Sequence, residues 1–173
     1  MRPWARRSVD WRSAFGSLLV PIRLALMRAP TITDALAGEH GVVYRLLEHL
    51  TSRPFASAEE ARVQAAELAA GLASHAHLED ELLFVPLEGP LGPNGGPIAV
   101  MREEHAEVES TLERLAQVED VEEAEALAGH LVSVAREHFE KEEQVLFPMA
   151  EQLLGEEELR GLGEEWLARR HGA

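Results

Sequence analysis

Residues 138–148 read His138-Phe139-Glu140-Lys141-Glu142-Glu143-Gln144-Val145-Leu146-Phe147-Pro148. Residues 75–84 repeat the design as His75-Ala76-His77-Leu78-Glu79-Asp80-Glu81-Leu82-Leu83-Phe84. In both, a histidine precedes a glutamate by one helical turn, and an apolar run comes after. Each stretch prolongs an apolar stripe: Ala61, Ala65, Leu68 and Leu72 lead to His75, Glu79 and Leu82, while Leu127, Leu131 and Val134 lead to His138, Glu142, Val145 and Met149. Spacings of three and four mark one face of an α-helix. The histidine and the glutamate therefore take slots that the pattern assigns to the interior.

Two more helices lie outward from these. Leu36, His40, Val43, Leu47 and Leu50 form one stripe, started by Thr31 or Thr33 as N-cap with Asp34 in the first turn and stopped near Arg53-Pro54. Ile98, Met101, His105, Val108, Leu112 and Leu115 form the other. Ser57 and Glu60 make a capping box for the second helix. Pro86 to Pro97, with four glycines and four prolines, reads as a loop. An acidic turn near Glu119-Asp120 precedes the fourth helix, Gly155 ends it, and Leu159, Leu162, Trp166 and Leu167 suggest a short further helix. No strand pattern competes. The expected fold is all-α: an up-down-up-down four-helix bundle over 31–155, a C-terminal helix and tail over 156–173, and a basic N-terminal extension over 1–30.

Composition narrows the chemistry. The 173 residues suit one domain with a real core. With no cysteine, thiolate zinc sites and cysteine-held iron–sulfur clusters are excluded. The net charge of −15 is uneven: residues 1–30 hold six arginines and one aspartate, and the remainder is strongly acidic. An acidic body argues against nucleic-acid binding. Ser13 to Met27 is mostly apolar but is interrupted by Pro21 and Arg23. It is shorter than the roughly 20 apolar residues of a membrane span. Trp4, Trp11 and Phe15 among arginines would suit peripheral contact with an anionic membrane. The expectation is a cytoplasmic protein without an integral span and with a loosely ordered extension.

A lone interior histidine is ordinarily a core residue with a backbone partner. Four on four helices, two with a carboxylate one turn on, point instead to one shared metal site. Buried unpaired carboxylates cost several kcal/mol each, and a cation between facing helices compensates them. The candidate ligands are His40, His75, Glu79, His105, His138 and Glu142. His77 lies roughly 200° around the helix from His75, so His77-x3-Glu81 is an alternative register. Tyr44, one turn after His40, and Glu109, one turn after His105, are further candidates. His49, His130 and His171 fit surface or boundary positions.

This order of residues resembles the hemerythrin-like, or HHE cation-binding, family. The Glu-His pairs at 39–40 and 104–105 look like that family's first and third helices. Glu79-Asp80-Glu81-Leu82-Leu83-Phe84 and Glu142-Glu143-Gln144-Val145-Leu146-Phe147-Pro148 look like its helix ends. The resemblance spans about residues 31–155. It implies a bundle around a non-haem di-iron centre with an oxo or hydroxo bridge, with zinc or manganese as other possible occupants. His40 and His75 would serve one iron, His105 and His138 the other, and Glu79 and Glu142 would bridge. The partner implied is a small diatomic ligand or peroxide, in reversible O2 binding or in sensing O2, NO, peroxide or iron. One position departs: where oxygen carriers of the family place a second histidine on the third helix, this chain has Met101, a poor ligand for a ferric ion. That leaves a coordination position open, or filled by water or Glu109, and favours sensing or turnover over simple oxygen carriage. Binding or sensing is the leading expectation, with no catalytic residue assigned. A di-iron oxidoreductase (peroxidase-like, catalase-like or NO-reducing), a metal-responsive interaction module and a metal-free structural bundle are the alternatives.

Overall fold

The computed structural model describes residues 28–92 and 96–172; the expectations for residues 1–27 lie outside the described part. α1 is Ile32–Leu50, opened by a complete capping box: the Thr31 hydroxyl accepts from the Asp34 N–H, and the Asp34 carboxylate accepts from the Thr31 N–H. α2 begins as Ala58–Glu79, with Ser57 accepting from the Glu60 N–H. The reciprocal half expected at Ser57 forms one residue earlier, where the Glu60 carboxylate accepts from the Ala56 N–H at 2.7 Å.

After Glu79, α2 does not stop. It passes through a π-helical turn, Asp80–Phe84, into a last α-helical piece, Val85–Leu91. This corrects the loop expected from Pro86: helix persists to Leu91, and the turn begins at Gly92, whose φ of 86° suits glycine. The widened turn accounts for the difference. The Val85 N–H reaches back five residues to the Asp80 carbonyl, and Pro86 then stands in a first turn, where its missing N–H is not needed.

α3 is Gly96–Leu115. α4 begins as Val121–Lys141, capped by the Asp120 side chain, and repeats the device with a π turn at Glu142–Leu146 and a final piece at Phe147–Leu153. The extra residue shifts the register. Val145, expected inside, is 49% exposed, whereas Leu146 is 1% exposed. Met149, beyond the turn, is likewise only half-buried, and Ala150 is inside; before the turn, where the register is unshifted, Val134 is also half-buried while Ala135 and Phe139 are buried. α5, Gly155–His171, turns back along α1. Gly163 lies so close to the chain entering α1 that a Cβ there would stand 1.9 Å from the Pro30 carbonyl oxygen. Beside it, Arg160 donates to the Ala29 carbonyl at 3.0 Å.

The described residues contain no strand, and the long helices pack as a bundle with α5 added against α1. No helix among them is long and apolar enough to cross a membrane. The apolar core is split in two. One cluster, including Leu47, Leu68, Leu115, Leu131 and Phe139, fills the end nearest the α1–α2 and α3–α4 turns. The other, including Leu36, Phe84, Ile98, Leu146 and Leu159, fills the end with the π turns and α5. Between them lies a layer of buried polar side chains: His40, His75, Glu79, His138 and Glu142. Each buried Leu or Phe contributes roughly 1.5–3 kcal/mol. Two desolvated carboxylates, at several kcal/mol each, cancel about what several such residues provide.

Candidate metal centre

Each helix of the bundle delivers one histidine to this layer; α2 adds Glu79, just before its π turn, and α4 adds Glu142, the first residue of its π turn. The atoms form two overlapping groups. His40, His75, Glu79 and Glu142 offer four ligand atoms within 4.8 Å of one another, and Glu79, His105, His138 and Glu142 form a second such set of four. Both carboxylates belong to both groups. Nitrogen-to-oxygen distances inside the cluster are short: His40 Nε2 to Glu142 Oε2 3.2 Å, His138 Nε2 to Glu142 Oε1 3.1 Å, His105 Nε2 to Glu79 Oε2 3.3 Å and His75 Nε2 to Glu79 Oε2 3.7 Å.

None of these approaches has hydrogen-bond geometry. His40 Nε2, His75 Nε2 and all four oxygens of Glu79 and Glu142 are buried without a hydrogen-bond partner. Orphaned buried polar atoms are rare in folded proteins. Here they converge on one point and are imidazole nitrogens and carboxylates, the donor set that suits iron, manganese or zinc. His105 Nε2 and His138 Nε2 also face each other at 3.1 Å, which two neutral rings with inward lone pairs tolerate best with a cation between them.

The outward nitrogens explain why the inward ones are free. His40 Nδ1 lies 2.8 Å from Glu143, His75 Nδ1 2.8 Å from Glu39, and His138 Nδ1 3.1 Å from Glu104. A carboxylate only accepts, so each Nδ1 carries the proton, and in a neutral ring Nε2 keeps its lone pair. His105 Nδ1 faces Asp80 at 4.0 Å, beyond direct hydrogen-bond reach. These carboxylates close a ring around the bundle. Glu39 of α1 faces the histidine of α2, Asp80 after α2 that of α3, Glu104 of α3 that of α4, and Glu143 after α4 that of α1. In every case the carboxylate sits next in sequence to an inner residue of its own helix.

Burial governs protonation. It pushes the Glu79 carboxyl up to about 7, assisted by the charge of Glu142. Burial likewise pushes Glu142 up to about 8, with Glu104 and Glu143 adding repulsion. Desolvation, with His75 and His138 close by, pushes His40 down to about 2. Without a cation the centre thus tends to neutrality, with protons where ions would sit.

Aromatic rings wall the centre. Phe139 stacks on His40 at 4.2 Å between centroids, Phe147 lies on it at 5.6 Å, and Phe84 stacks on His105 at 5.5 Å. The wall contribution of Phe139 was not legible, because the α-helical count favoured Val134 as its face. The outer roles of Glu39, Asp80, Glu104 and Glu143 were hidden too, since each serves a histidine on another helix. Their one signal was adjacency to an inner residue.

The other candidates lie outside both groups. His77 is 67% exposed, and its partner Glu81 pairs with Arg169. Tyr44 packs edge-on against Phe139, with Arg136 over its ring. Glu109 is exposed. Met101 is buried in the apolar cluster with Phe84 and Ile98.

Residues 31–150 match the family model described as the hemerythrin HHE cation binding domain. No curated protein and no solved structure matches the chain.

Proposed function

The chain belongs to the hemerythrin HHE cation-binding family, and from that premise we propose that it is a non-haem di-iron protein that binds or senses O2, NO or peroxide. The observation that carries this reading is the pair of four-atom groups sharing both carboxylates. In it, His40 and His75 would hold one ion and His105 and His138 the other, with Glu79 and Glu142 available to both. Iron bound there supplies redox-active positions to which such small ligands coordinate.

The rest is the work of this chain. Glu143, Glu39 and Glu104 hold the Nδ1 protons of His40, His75 and His138, fix those rings and raise their basicity. Phe139 and Phe147 keep water from the His40 side. His105 has the most open side chain of the six, 15% exposed against 3% or less, and its outer partner is the most distant, so ligands enter there. Met101, engaged in the apolar cluster, would offer no ligand to an ion at His105, and Glu109, exposed and outside both ligand groups, would leave that position to water or a small ligand.

Metal analysis with an optical spectrum of the aerobically purified protein tests the reading. About two iron ions per chain and near-ultraviolet oxo-bridge bands are expected, with both reduced in His138→Ala. A colourless protein that holds no iron and takes none up from anaerobic Fe(II) overturns it. Adding peroxide to the loaded protein then separates binding from turnover.

A further inference from the structure

The centre has an approach far larger than a diatomic molecule needs. A cavity of about 500 Å3 runs between α2, α3 and α4, and its inner end is formed by His75, His105 and His138. O2 or NO requires little more than the roughly 30 Å3 share of a water molecule, whereas cavities of about 300–1,000 Å3 take organic ligands. The space arises from composition: on this side of α2 the side chains are Ala69, Ala73 and Ala76, too small to fill the gap to α3. Leu72, Val108 and Leu112 make the remaining wall apolar.

The mouth gives the second half of the specification. Glu109 and Glu113, one turn apart on α3, are exposed, line the cavity and enter no ion pair among the described residues. Asp80 lines it as well, and no lysine or arginine does. His77 also lines it, but is paired with Glu81, so the full charges an anionic ligand would meet are those of carboxylates. We propose that this cavity is a binding site for a cationic amphiphile, an alkyl or aryl amine, with its apolar body among Leu72, Val108 and Leu112 and its ammonium group between Glu109 and Glu113. The apolar end then points toward His105. The site goes beyond the di-iron reading and does not depend on which ion the centre holds.

The test is calorimetric titration of the purified full chain with n-octylamine, n-octanol and n-octanoate, with iron content and spectrum recorded on the same samples. Octylamine is expected to bind roughly tenfold tighter than octanol, and octanoate to give no binding. Ala73→Trp, at an exposed position on the cavity wall, should abolish octylamine binding. The double variant Glu109→Gln/Glu113→Gln should reduce octylamine affinity to that of octanol. Both variants should keep the iron content and spectrum of the parent. Octylamine binding that is absent, no tighter than that of octanoate, or unchanged in either variant overturns the proposal. An iron-free chain that still binds octylamine refutes the di-iron reading alone; an iron-loaded chain that ignores octylamine refutes this one alone.

Discussion

Glu79 and Glu142 govern the metal-free protein as well as any loaded form. Their folded values of about 7 and about 8 stand above the ordinary 4.5. From pH 4.5 upward the folded chain keeps protons that the unfolded chain releases, so these groups lower stability as pH rises. His40, pushed down from 6.5 to about 2, acts in the opposite sense until about pH 6.5 and then drops out. Between about pH 6.5 and 8 the carboxyls act unopposed by His40. Melting of chelator-treated protein should therefore move to lower temperature across that window, and Glu79→Gln/Glu142→Gln should flatten the slope. A melting temperature that rises from pH 6.5 to 8 would contradict the assignment. Ions take the place of those protons, so iron affinity should rise over the same window. Glu104→Gln, which alters the carboxylate facing His138, should weaken iron binding about 10–100-fold with helix content unchanged, as competition against a colorimetric chelator would read. The inner residues were legible because each interrupts an apolar stripe with a group that needs a partner. The outer ring was not, because helical periodicity describes one helix at a time.

At the level of elements, the π turns set the register of the chain beyond the inner glutamates. A count of three and four carried through Glu142 selects Val145 and Met149, and it fails because the turn adds one residue before the last piece of α4. Leu83-Phe84-Val85-Pro86 and Leu146-Phe147-Pro148 mark the two places in the sequence, but proline and glycine together read as a break, and residues 86–91 read as loop for that reason. α5 has a different dependence. Its crossing beside Pro30 requires Gly163, and the obstruction to a Cβ is backbone, which cannot swing aside. Gly163→Ala should cost about 1–3 kcal/mol, read by urea denaturation. α5 also carries Arg170, whose Nε donates to Glu39 at 2.7 Å, and Glu39 orients His75. The same variant should therefore weaken iron binding, an effect that a remote surface change would not have.

For the whole molecule, the four-helix plan is legible in stripes, caps and turns, and the family match over residues 31–150 agrees with it. What could not be read from sequence was the separation of the apolar residues into two bodies with the polar layer between them. That separation bears on cooperativity. All-or-none unfolding requires each part of a fold to lose its support when another opens. Here the two halves of the core share the helices but meet across groups that repel or go unpartnered without a cation. Metal-free protein should melt in two calorimetric steps, or with a van't Hoff enthalpy below the calorimetric one, and iron should merge them into a single transition. A single step with equal enthalpies in both forms would show that the helices alone transmit the load. On the di-iron reading, bound metal would be the rivet that turns two small folding units into one.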